Sequence, residues 1–232
     1  MMAVNNISLV GSIMMMNTLV DVPDAMKMEF STAFSSPFTL DMMTMFIYIS
    51  AVSFLFLDFN NGYIKNLAGQ VSNRGDIVTS KFIVIAVHNL IFFLAAAVSN
   101  LIGGLIVGMN MDIQNLGAGI ATFFIKWLLS LGIGAVLLFF AVGLKSKSFA
   151  LIIGVMVSLS AFSLIYMGID TAINNVLKLN GFSLSQYMPD ALISSVNVAK
   201  GNLVANGIIA AIVFIVLFCF LAHVTFKKRD IK

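Results

Sequence analysis

Five runs of this sequence, 40–57, 82–107, 121–144, 149–167 and 203–222, are apolar on all sides and hold almost no charge. A helix needs roughly 20 such residues to cross about 30 Å of hydrocarbon, so each run has about the length of one membrane crossing. The strands of a membrane barrel would instead alternate apolar and polar at period two over about 10 residues. These runs do not alternate, and they are read as helices. Lipid rather than water must surround them, because 60% of the chain is hydrophobic and only 10% charged, against about 25% charged in an ordinary soluble domain.

A sixth segment, 1–20, carries no charge but holds Asn5, Asn6, Ser8, Ser12 and Asn17. No Lys or Arg precedes Lys27, so it lacks the basic start and cleavage site of a secretory signal. It is read as a short or truncated first span. The expected fold is therefore an all-α polytopic membrane helix bundle of six transmembrane helices, one transmembrane domain over 1–232 with no soluble domain.

Short cytoplasmic loops retain Lys and Arg, which orients the bundle. With the C-terminus inside, the inner side holds Lys65, Arg74, Lys81, Lys145, Lys147, Lys227, Lys228, Arg229 and Lys232, and the outer side only Lys27, Lys178 and Lys200. The net charge of +3 is spread over loop ends rather than gathered into a stripe, so nucleic acid is not an expected partner. The lone cysteine, Cys219, falls within the last span and reads as inert packing.

Two connections are long, 58–81 inside and 168–202 outside, while Lys145, Ser146 and Lys147 make barely a turn. Long connections tend to carry function. In the first, Tyr63, Ile64 and Leu67 share one helical face between Gly62 and Gly69, with Lys65, Asn66 and Gln70 facing away. A polar turn, 72–77, then leads toward a span that begins near Lys81. The segment 62–69 reads either as an amphipathic linker at the headgroups or as a docking helix for a cytoplasmic partner. The outer connection mixes Asp170, Asn174, Lys178 and Asp190 with Ile173, Leu177, Phe182 and Tyr187, a pattern of short helices folded back on the bundle.

Asp58, the stretch Gly62-Tyr63-Ile64-Lys65-Asn66, Arg74, Ile77, Lys81 and the ending Phe226-Lys227-Lys228-Arg229-Asp230-Ile231 together resemble the membrane (permease) subunits of type-two ATP-binding-cassette exporters. The resemblance covers the whole chain in topology, through short and degenerate motifs. That family commonly has Glu where Asp58 stands and opens with a basic segment that is missing here. The resemblance implies half of a translocation pathway in the cell membrane, multi-pass and bacterial, with the C-terminus cytoplasmic. It implies a second permease copy or close paralogue and two cytoplasmic ATPase subunits that bind ATP and Mg. A coupling set follows from it: Asp58, Gly62, Tyr63, Ile64, Lys65, Asn66, Leu67, Arg74 and Asp76. The outer connection would be an outer gate.

Ionisable and amide groups inside spans are candidates for a substrate pathway. His88, Asn89 and Asn100 lie in 82–107, and Lys126 in 121–144. Interhelical hydrogen bonding is the alternative for the first three. For Lys126 the alternative is that the span starts at Trp127, an interfacial residue, so that Lys126 reaches the outer surface. Gly104 with Gly108, and Gly132 with Gly134, are read as close helix contacts.

No phosphate loop of the Gly-x-x-x-x-Gly-Lys-Ser/Thr type occurs, so ATP hydrolysis would belong to a partner. Two histidines, His88 and His223, with one glutamate, Glu29, supply no metalloprotease cluster. The chain is expected not to be an enzyme, to bind no metal or cofactor itself, and to move an amphipathic peptide, antibiotic or lipid-like cargo. The alternative is a non-transporting membrane scaffold or passive immunity protein of the same topology.

Overall fold

The computed structural model describes residues 28–29, 42–60, 75–106, 111–112, 116–177, 183–198, 201 and 203–227. The expected first span at 1–20 lies outside these residues. So do Gly62, Tyr63, Ile64, Lys65, Asn66, Leu67 and Arg74 of the expected coupling segment, and the terminal Lys228–Lys232 region. Asp58 stands in the last turn of the helix that precedes that segment.

The described chain is helical: α1 (Met42–Asn60), α2 (Gly75–Ile106), α3 (Leu116–Leu138), α4 (Lys147–Ser158), α5 (Phe162–Leu177), α6 (Pro189–Ser195) and α7 (Val204–Lys227). A two-residue parallel bridge joins Met28–Glu29 to Met111–Asp112. Three stretches are long and apolar enough to cross a membrane: Gly75–Gly103, Leu116–Gly143 and Val204–Lys227. At 1.5 Å per residue they reach about 43, 42 and 36 Å. The bent pair of α4 and α5 makes a fourth if it counts as one span. The apolar part of α1, Thr44–Leu57, reaches only about 20 Å.

α3 is the central helix, with 67% of its apolar window buried against 28% in α2 and 22% in α7. α7 and α2 pack along it, α6 covers one end, and α1 packs chiefly on α4. Small residues set the closest approaches. A Cβ added to Gly132 of α3 would lie 3.6 Å from the Ala211 carbonyl oxygen of α7. In lipid there is no hydrophobic drive between helices, and such close packing takes its place. This fits the packing expected of Gly132 and Gly134; Gly108 lies outside the described residues.

The outer faces are apolar. On α2, Ile83, Val87, Ile91, Leu94, Val98 and Ile102 are exposed at three- and four-residue spacing, and Ile209, Val213, Val216 and Phe220 form a similar face on α7. Continuous apolar stripes of this kind are at rest in lipid and would drive aggregation in water. The chain is a helical, multi-pass membrane protein.

Two boundaries differ from those expected. The turn expected at 72–77 is in part the first turn of α2, which begins at Gly75. Asp76 sits exposed in that turn, favourably placed for the helix dipole, while Ile77 and Val78 join the core. At Gly75 the His223 ring of α7 occupies the space a Cβ would take, so a larger residue there would have to displace that ring.

The run 149–167 is not one straight helix but breaks between α4 and α5 with a bend of 74°. Ser160 adopts a left-handed backbone, φ 54°. Around it the Ala161 N–H donates to the Met156 carbonyl (2.9 Å) and the Ser160 N–H to the Val157 carbonyl (3.0 Å), the paired bonds of a Schellman helix end. Glycine usually fills that left-handed position, because a Cβ there is strained. Ser160→Gly is therefore expected to raise stability by about 1 kcal/mol, read as a later unfolding midpoint in mixed micelles; a lower midpoint would contradict this account of the bend.

α3 continues through a π-helical turn, Phe139–Gly143, closed by the Leu144 N–H on the Phe139 carbonyl at 3.0 Å. Lys145 then takes a left-handed φ of 53°, and the Ser146 hydroxyl oxygen accepts from the Phe149 N–H to cap α4. The expected tight turn at 145–147 is present.

Candidate functional site

Thr122, Lys126 and Ser130 recur every fourth residue, so they lie one above another on one face of α3. All three are buried, with Lys126 only 4% exposed. Lys126 does not reach a surface, in contrast to the expectation based on Trp127. α3 begins at Leu116, which places Lys126 about 15 Å into the helix. The chain after α6 also closes over this face: the Val198 N–H donates to Thr122 Oγ1 at 3.0 Å. Trp127 itself turns inward and donates from Nε1 to the Ala86 carbonyl of α2 (3.4 Å).

Ser130 is the meeting point of three helices. Asn89 of α2 donates from Nδ2 to Ser130 Oγ at 3.1 Å, and Tyr48 Oη of α1 lies 3.4 Å from the same oxygen. From Asn89 the chain of contacts runs on to His88, with Nδ1 3.5 Å from Asn89 Oδ1, and to Ser50 of α1, whose Oγ is 3.1 Å from His88 Nε2. Ser50 Oγ also donates to the Ile47 carbonyl at 2.9 Å. That use of the only Ser50 hydroxyl proton leaves His88 Nε2 as the donor to Ser50. A neutral His88 of that tautomer presents a bare Nδ1 to Asn89 Oδ1, across the longest contact of the set. An imidazolium would make both bonds at once.

Seven sequence candidates are thus outside the described residues, and two, His88 and Asn89, are brought together. Asp58 and Asp76 flank the undescribed segment on α1 and α2. Asn100 stands eleven residues beyond Asn89 on α2, about 16 Å along the helix. Lys126 lies one turn from Ser130 on α3. Tyr48, Ser50, Thr122 and Ser130 were not anticipated, because lone hydroxyls inside apolar runs carry little weight. The Thr122-x-x-x-Lys126-x-x-x-Ser130 spacing was the available signal.

A second feature adjoins this face one turn on. Ile133 and Val136 of α3, Ile153 and Val157 of α4, Phe162 of α5 and Phe214 of α7 wall a cleft of about 280 Å³. Tyr166 and Asp190 line it as well. The Tyr166 hydroxyl donates to both Asp190 oxygens, at 2.8 and 3.0 Å. Burial holds the Asp190 carboxyl above the usual carboxylate range, and the Tyr166 bond acts in the opposite direction. Asp170 has a local role: its oxygens accept from the Leu184 N–H (2.7 Å) and Ser183 Oγ (3.2 Å), which fastens the 3₁₀ turn Leu184–Gln186 to α5. The described part of the connection 168–202, expected on the outer side, includes the short helical pieces Leu184–Gln186 and Pro189–Ser195.

Among the described residues, no three of His, Cys, Asp or Glu converge as metal ligands would. No curated protein and no solved structure matches the chain. The family described as "Protein of unknown function (DUF2705)" matches over residues 2–232, and the chain belongs to that family.

Proposed function

We propose that the chain is the permease subunit of an ATP-driven exporter: six spans in the cell membrane, C-terminus cytoplasmic, pairing with a second copy or close paralogue and with two cytoplasmic ATPases. The observation that carries this reading is where the segment 62–69 falls. It joins α1 to α2, the two helices whose Tyr48 and Asn89 side chains meet on Ser130 of the central helix. A push on that segment acts on both arms of one buried polar junction. ATPase closure would thereby shift the junction between two packings, which is how a local movement becomes a change of the whole bundle.

In this mechanism Tyr63, Ile64 and Leu67 seat in a groove of the ATPase, and Lys65 and Arg74 orient the contact by charge. ATP and Mg stay on the partner. The cargo is amphipathic: a peptide, an antibiotic or a lipid-like molecule. Ile64→Asp with Leu67→Asp is expected to abolish transport while leaving the protein inserted and folded, because both changes fall in the sequence that connects α1 to α2 and not in either helix. Transport at the normal rate in that double variant, with the ATPase present, contradicts the mechanism.

One observation favours a second reading. Tyr48 and Asn89 meet Ser130, and His88 meets Ser50, within the bundle, so the polar junction also suits a membrane scaffold or passive immunity protein that only needs to hold its helices together.

A further inference from the structure

The bend between α4 and α5 does more than end a helix. Val157 and Phe162, on either side of it, both line the cleft, so turning α5 away by 74° opens the wedge that α3 and α7 then wall. Its volume is about 280 Å³. That lies just below the usual range of ligand sites, about 300–1,000 Å³. One alkyl chain fits such a space; a two-chain phospholipid does not.

The polar lining is as informative as the apolar walls. Asp190 is buried at 6% exposure, and its carboxyl takes the Tyr166 hydroxyl on both oxygens together with the backbone N–H groups of Asp190 and Ala191. All of these donors are neutral, so the carboxyl has hydrogen bonds but no countercharge from them. Among the described residues no Lys or Arg forms an ion pair with it. A buried carboxylate without a countercharge favours a cationic guest over a neutral one, and rejects an anionic one.

We propose that the cleft between α3, α4, α5 and α7 is a binding site for a single-chain amphiphile with a primary ammonium head, the chain lying along Val157, Phe162 and Phe214 and the head seated on Asp190. The Tyr166 hydroxyl holds both carboxylate oxygens in place for it. The assignment stands on the cleft itself and not on ATP coupling, and binding reads it without an ATPase.

The test uses the full chain in phosphatidylcholine nanodiscs, titrated with radiolabelled dodecylamine, dodecanol and dodecanoate, with protein-free nanodiscs as the blank. Dodecylamine is expected to bind saturably, at one per chain, and at least about tenfold more tightly than dodecanoate. Ile153→Trp, which fills the cleft from the α4 side, should weaken amine binding by about tenfold or more. Asp190→Asn should bring the amine down to the affinity of the alcohol. Equal binding of amine and carboxylate, or undiminished binding in Ile153→Trp, overturns the proposal. The wild-type comparison of headgroups decides the matter even if Asp190→Asn fails to fold.

Discussion

Gly134→Leu is expected to separate α2 from α3 and to cost about 3 kcal/mol or more, enough to leave much of the protein unfolded. A Cβ at position 134 would lie 2.8 Å from Cγ2 of Ile85. That methyl is attached directly to the Ile85 Cβ and can move only by rotation about χ1, which a β-branched side chain in a helix rarely changes, and Ile85 is buried. Alanine should already cost about 1–3 kcal/mol. The check is equilibrium unfolding in mixed micelles, with Ile85→Ala as the second arm of a double-mutant cycle. If the clash is the cause, Ile85→Ala makes room and the two changes together cost less than their sum. Additive costs would assign the loss to some other contact.

Asn89→Leu is the second large effect, and it acts by a different route. The substitution keeps the volume roughly constant but removes the donor to Ser130 Oγ and the acceptor facing His88. Hydrogen bonds between membrane helices average about 0.6 kcal/mol, with a maximum near 1.7. A buried polar group left without its partner costs about 1–3 kcal/mol. The expected loss is therefore about 2 kcal/mol, recovered in part by Ser130→Ala, which removes the stranded hydroxyl. If Asn89→Leu alone is neutral, the Ser130 junction does not hold the three helices.

Hydropathy made the membrane class legible at once, because runs of about 20 apolar residues admit no other solvent. What it could not give was depth. Lys126 beside Trp127 reads as the edge of a span when charge and an interfacial aromatic are weighed alone. The structure starts that helix ten residues earlier, and Leu116–Thr122 are long enough to carry Lys126 into the interior. The start of α2 was hidden for a similar reason. Asp76, Thr79, Ser80 and Lys81 look like a loop by composition, but Ile77, Val78 and Ile85 face the core at helical spacing.

The break at 158–161 carries neither glycine nor proline, so no local signal marks it. It is held by local backbone bonds, Ala161 N–H to the Met156 carbonyl and Ser160 N–H to the Val157 carbonyl, with Ser160 in a left-handed conformation that serine rarely adopts. The polar junction was half legible. His88 and Asn89 stand out as a polar pair in an apolar run, whereas Tyr48 and Ser130 acquire meaning only when α1 and α3 are set beside them. The Asp190–Tyr166 pair, 24 residues apart in sequence, belongs to the same class: contacts that only the fold creates.

The central claim is that this bundle is driven by ATPases through the segment 62–69. Its most direct test is a pull-down of the tagged chain from its native membrane in mild detergent, with mass spectrometry and an ATPase assay on the eluate. The account predicts that a soluble ATPase subunit accompanies the wild-type chain and is lost from the Ile64→Asp, Leu67→Asp variant. Repeated purification of the intact chain with no ATPase, under conditions that preserve its helix content, would contradict the account and favour the scaffold or immunity reading.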